Sequence, residues 1–210
     1  MSAAEEVVLN DGVAHLTLDS AAAQAGISKG GVLYHFPTRA ALISAMVERL
    51  GASFDADLER AGGSGGEPGD FTRAYVAATF APLPDESALR ERRLGAAVIA
   101  GVASDAHLLE PLRERFASWQ RSIEHDGIGS EVASLVRLAS DGLWFCELLG
   151  LGTISEELRA NVRSALEALC GEALGSRDDR DAARTSHKGE PGAASKKKSA
   201  PSPARKASRP

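Results

Sequence analysis

Apolar residues recur at helical spacings along most of the chain, and no stretch alternates as a half-buried strand would. Met1 to Leu9 reads as a short helix. Thr17 is placed to cap a two-turn helix from Leu18 to Gln24, and Gly26 supplies a turn conformation that other residues resist. Ser28 caps a second short helix to about Tyr34, Pro37 ends it, and Thr38 caps a long helix to about Leu58. Two short helices joined at a glycine, with Ala22, Ala25, Ile27 and Leu33 as small packing contacts, predict a helix-turn-helix.

Residues 61–70, AGGSGGEPGD, read as a flexible joint. Longer helices follow: from Phe71 to the Pro82–Pro84 stop, Glu86 to Val102, Ala106 to His125, a Ser130-capped helix to Leu149, and a last one to Leu174. Thr153 and Glu156 fit a capping box for the last. Its Ile154, Leu158, Val162, Leu166 and Leu169 form a single apolar stripe. The helix before it is apolar nearly all round, from Val132 through Trp144 and Phe145 to Leu149, so it needs cover on two sides. One cover is the core. The other is a second copy of the chain, pairing these two helices from each subunit into a four-helix bundle with Leu148 among the exposed leucines.

The expected fold class is therefore all-α. A helix-turn-helix domain occupies residues 1–50 and a helical dimerisation domain residues 51–175, the latter being also the ligand-binding domain under the family resemblance given below. Residues 176–210, rich in Lys, Ser, Ala and Pro, are expected to be a disordered basic tail.

Composition narrows the function. The chain is 43% apolar with no membrane-length apolar run and no basic leader, which predicts a cytoplasmic protein. Cys146 and Cys170 sit in apolar helical patterns and are not a disulfide framework or a metal pair. The net charge of −5 hides an asymmetry: residues 176–210 carry ten Lys or Arg and four Asp or Glu, leaving the rest of the chain at −11. An acidic body repels DNA on average, so contact must come from a local patch or from the tail residues Lys196, Lys197, Lys198, Arg205, Lys206 and Arg209.

That patch is in the first fifty residues. Ala22, Ala25 and Gly26 are followed by Ser28, Lys29 and Gly30, then by Tyr34, His35, Phe36, Pro37 and Arg39. The stretch resembles the N-terminal domain of the TetR family of bacterial transcriptional regulators, over about Ala3 to Leu50. Residues 141–151, DGLWFCELLGL, also look like a segment of one C-terminal subgroup. The resemblance implies a homodimer acting on a double-stranded DNA operator, with a small-molecule effector and no cofactor or metal. It implies that Thr17 touches a phosphate, that Ser28 and Lys29 open the recognition helix, and that Gly30 and Gly31 approach the groove floor. Tyr34, His35 and Arg39 would then contact the DNA backbone. Two glycines read no base, so Lys29 is the candidate for guanine and Val32 for a thymine methyl.

Phe71, Tyr75, His107, Phe116 and Trp119 are candidates to line an effector cavity, against the plainer reading that they are core. No nucleophile-and-base set, phosphate loop or metal-ligand spacing points to an enzyme. A rival reading is a protein-interaction module that has lost specific DNA binding, which the acidic body favours. The first fifty residues hold three basic against five acidic side chains, and Met1 falls inside the first helix. A natural start upstream with a basic arm is therefore expected, or else a short form in which the tail replaces that arm.

Overall fold

The computed structural model describes residues 1–187 apart from 83, 84, 104 and 153, with side chains to residue 175. Among the described residues there are nine α-helices and no strand. They are α1 (Ser2–Asp11), α2 (Leu18–Ala25), α3 (Lys29–His35), α4 (Arg39–Arg60), α5 (Asp70–Thr79), α6 (Glu86–Val102), α7 (Glu110–Glu124), α8 (Ser130–Leu149) and α9 (Glu156–His187).

The chain builds two cores. The first joins Ala4, Val7 and Val8 of α1, Ala21 of α2, and Leu42, Ile43, Met46 and Val47 of α4. Val98 and Val102 of α6 complete it, so the N-terminal helices close their core only by borrowing the body's α6. The second gathers Leu58, Tyr75, Val76, Trp119, Ile123, Val136, Leu166 and Cys170 from α4, α5, α7, α8 and α9. α4 runs through both, and its 22 residues join the two halves without a break.

Three expectations about connections change. The glycine-rich stretch is no loose joint between domains, because α4 continues to Arg60 and the stretch turns within the body. It is pinned as well: Gly63 donates to the Leu58 carbonyl at 2.9 Å and Gly69 to the Asp126 carbonyl at 2.6 Å. A Cβ on Gly63 would lie 2.9 Å from that Leu58 oxygen, so only glycine passes there. Ser130 is the first residue of α8 rather than its cap, which is Gly129. Ser155 accepts from the Leu158 N–H at 3.1 Å at the start of α9, while Thr153 lies outside the described residues.

The last helix also runs to His187, where a disordered segment was expected from Ser176. Adding turns to an existing helix needs no new nucleus, and Arg and Ala in 176–187 favour it even without a core to join. Residues 188–210, with the Lys196–Lys198 cluster, lie outside the described residues.

The two faces of α8 separate cleanly. Ala133, Val136, Ser140 and Leu148 are buried, whereas Leu135 and Leu138 are 65% and 59% exposed. Leu148, expected among the exposed leucines, is only 7% exposed, because it sits two turns beyond Ser140 on the inner stripe. Leu149, Leu151, Ile154, Leu158 and Leu169 extend the uncovered apolar surface onto the α8–α9 turn and α9.

Candidate DNA interface and effector cavity

α2 begins with a reciprocal cap. The Ser20 N–H donates to Thr17 Oγ1 at 2.9 Å, and the Thr17 N–H donates to Ser20 Oγ at 2.8 Å. The helix ends at Gly26, whose φ of 67° is left-handed, and the Ile27 N–H closes the turn on the Ala22 carbonyl at 3.1 Å. Ser28 then caps α3 through the Gly31 N–H at 3.2 Å. Capping at Thr17, Gly26 and Ser28 fixes the path of the chain between the two helices.

Packing within the motif differs from the sequence pattern. Ala22 is buried, but Ala25, Ile27 and Leu33 are exposed. Val32, expected to reach a thymine methyl, is instead the one buried residue of α3. A helix of seven residues turns a single stripe inward, and docking on α2 selects Val32, one position and about 100° from Leu33.

The remainder of α3 faces outward. Lys29, Gly30, Tyr34 and His35 are exposed and Gly31 half-buried; Tyr34 is 86% exposed, with its ring edge-on to His35 at 5.1 Å. Lys29 Nζ lies 2.8 Å from Asp19 Oδ2 of α2, an ion pair open to solvent on both sides. Such a pair contributes at most about 1 kcal/mol, so Lys29 can exchange it for DNA. Added Cβ atoms at Gly30 and Gly31 would meet nothing nearer than Ser28 Oγ at 3.8 Å and Ile27 Cδ1 at 3.5 Å. The fold itself does not demand glycine at either position.

Arg39 is exposed but tethered to the protein. Its Nε donates to the Leu16 carbonyl at 2.5 Å and its Nη2 to the Val13 carbonyl at 2.6 Å. These bonds fasten the start of α4 to the segment entering α2, and they leave Arg39 exposed with N–H donors to spare.

Of the expected cavity residues, four come together. Phe54 and Phe116 flank Trp119 with ring centres 5.0 Å away, and Tyr75 stands 5.1 Å from Phe54. The rings pack as core, Phe54 edge-on to Tyr75 and Trp119 and Phe116 tilted against Trp119. Phe71 packs partly buried against the same cluster. His107 does not join them: it is exposed in the turn before α7, where Leu108 and Leu109 pack on the first core.

Tyr75 serves structure. Its hydroxyl donates to Asp141 Oδ1 at 2.5 Å, and Asp141 pairs with Arg137 at 3.0 Å. Burial, then the Asp141 carboxylate, push the Tyr75 hydroxyl well above the usual phenol range. Burial likewise raises Asp141, against the Tyr75 hydrogen bond and Arg137, which lower it.

A cavity of about 280 Å³ opens beside this cluster, between α4, α7 and the glycine-rich turn. Phe71 and Trp119 line it with Asp55, Leu58, Glu59 and Arg115. Arg115 reaches Asp55 by lying across Gly51, where any Cβ would collide with its side chain. The sequence reading missed Asp55, Glu59 and Arg115. The available signal was the spacing of four between Asp55 and Glu59, which sets both carboxylates on one face of a helix.

Comparison with known proteins agrees with this geometry. Residues 1–46 match the family described as bacterial regulatory proteins, tetR family, and residues 69–171 match the tetracyclin repressor-like C-terminal domain. A transcriptional regulator from Rhodococcus sp. Rha1 is 26% identical, over 83% of this chain and 94% of that one, with a TM-score of 0.59. A TetR-family regulator from Rhodococcus sp. shares the fold at 19% identity and a TM-score of 0.61, over 82% and 95% of the two chains. The multidrug binding protein EbrR, solved with imidazole, shares it at 23% identity and a TM-score of 0.57, over 80% and 90%. None of the curated proteins compared with the chain matches it.

Proposed function

We propose that this chain, which belongs to the TetR family of bacterial regulatory proteins and so is a DNA-binding transcriptional regulator, is a homodimeric repressor released from its operator by a small molecule. The observation that carries the DNA half is the outer face of α3, where Lys29, Gly30, Tyr34 and His35 are exposed and only Val32 is buried. The N-terminus of that helix, Ser28 and Lys29, suits a phosphate, and its glycines suit close approach to the groove. Thr17, Ser28, Tyr34 and His35 are the proposed backbone contacts, with Lys29 free to read a base. Arg39 is a further proposed backbone contact, and it also holds α4 against the segment that leads into α2.

Leu135, Leu138, Leu149, Leu158 and Leu169 form the proposed dimer surface on α8 and α9. A two-fold pair sets two α3 helices about 34–36 Å apart, facing successive major grooves of a palindrome. The body is the proposed effector domain, and the basic residues from Lys196 to Arg209 add sequence-independent attraction to phosphate.

No helix among the described residues is long and apolar enough to cross a membrane, which fits action on DNA in the cytoplasm. The test is selection of bound fragments from genomic DNA, followed by gel shift. Recovery of one palindromic sequence supports the reading. Uniform binding to all fragments, or none, favours the protein-interaction module instead.

A further inference from the structure

The cavity between α4 and α7 has an unequal balance of charge. Asp55 accepts from the Arg115 guanidinium and, at 2.7 Å, from Trp119 Nε1. Arg115 and Asp55 therefore neutralise each other. The side chain of Glu59, on the next turn of α4, has no ion pair or hydrogen bond among the described residues. The cavity thus presents one uncompensated carboxylate beside the rings of Phe71 and Trp119 and the side chain of Leu58.

The geometry points to an organic monocation, a single-ring aryl ammonium, as the effector that this cavity takes. A cation gains there from the Glu59 charge, while Phe71, Trp119 and Leu58 give its ring apolar contact. An anion meets repulsion at Glu59, and a neutral ring gains only apolar contact. The volume of about 280 Å³ is at the small end of ligand sites, which commonly run to roughly 300–1,000 Å³, so it limits the occupant to about one ring with a compact head. This assignment rests on reading the body as the effector domain, and gives that domain a ligand class and an address. The address matters, because Asp55, Leu58 and Glu59 lie on the last turns of the helix whose first residue, Arg39, holds the DNA-binding segment.

The experiment is calorimetric titration of the full chain with benzyltrimethylammonium and with its near-isosteric neutral alcohol, 2-methyl-1-phenylpropan-2-ol. The cation is expected to bind about tenfold tighter than the alcohol, and Glu59→Gln to abolish that preference. Glu59 is exposed and unpaired, so the variant keeps its fold, which an unchanged melting temperature checks. Equal affinity for the two probes overturns the inference, as does a preference that survives Glu59→Gln. No binding of the cation by a chain that still holds its selected DNA overturns the cavity assignment and leaves the regulator standing. Glu59-dependent binding that leaves that DNA bound upholds the site and overturns release by this ligand.

Discussion

Replacing Gly30 and Gly31 together by alanine should make the free protein more stable and its DNA binding weaker. Both lie in the first turn of α3, and a Cβ at either meets only ordinary contacts at 3.5 Å or more. Glycine in a helix costs roughly 0.5–1 kcal/mol relative to alanine. First-turn positions fall toward the lower figure, so the pair should contribute about 1–1.5 kcal/mol. A chain of this size gains about 2–4 °C per kcal/mol, which predicts a rise in melting temperature of about 2–6 °C. In the proposed DNA complex the two methyl groups would stand where the helix comes closest, and would hold Ser28, Lys29 and Tyr34 off their partners. Loss of one charge-assisted hydrogen bond, about 1.5–3 kcal/mol, lowers affinity by tenfold or more. Scanning calorimetry on the free protein and gel shift with selected DNA read the two effects separately. Wild-type affinity in the double variant would refute close approach as the reason for the glycines. A fall in melting temperature would show that the fold requires them.

Leu135→Glu with Leu138→Glu should give monomers in sedimentation, at unchanged helicity, because both side chains stand in solvent on the outer face of α8; a persistent dimer would move the interface elsewhere. Lys29→Ala should cost roughly 1–3 kcal/mol on the selected site and relax one base position, read by repeating the selection; an equal loss on every sequence would make it a phosphate contact. Tyr75→Phe should destabilise the body by about 1–3 kcal/mol in denaturant unfolding, since Asp141 stays buried without its donor; a neutral result would mean Arg137 alone satisfies that carboxylate.

The local signals proved legible where they act within a few residues. Thr17, Gly26, Ser28 and Thr38 each determine a helix end through their own hydroxyl or φ. Long-range geometry was not legible. Arg39 meets the Leu16 carbonyl 23 residues away, and Arg115 meets Asp55 at a separation of 60, neither of which leaves a periodic trace. The same limit applied to Val32 and Leu33, adjacent apolar residues on a helix too short to show a stripe. The wrong one was assigned to the core because only the docking of α3 on α2 distinguishes them. His107 was grouped with aromatics by its place in the middle of the chain, whereas the turn that carries it packs on the other core.

How an occupant of the body would move the DNA-binding helices, under the proposed function, follows from how they are fastened. Glu5 of α1 has a side chain only 3% exposed, and it faces Arg49 of α4 at 2.7 Å and Arg90 of α6 at 3.8 Å. Glu6 holds Arg90 as well, at 2.6 Å, and the first core is sealed by Val98 and Val102 of α6. α1 therefore rides on α4 and α6 at once. Sliding α4 past α6 would strip a guanidinium from a buried carboxylate, which costs free energy because that carboxylate would be left buried without a partner. The N-terminal helices cannot lag behind such a shift; they turn as one body with α4 or leave their seat on α6. α4 spans about 33 Å, so a tilt of roughly 5° carries its Arg39 end through roughly 3 Å relative to its Glu59 end. In the proposed dimer the two-fold axis applies the same displacement to both α3 helices. Hydrogen bonds to phosphate, confined to about 2.7–3.2 Å, do not survive a mismatch of that size on both half-sites together.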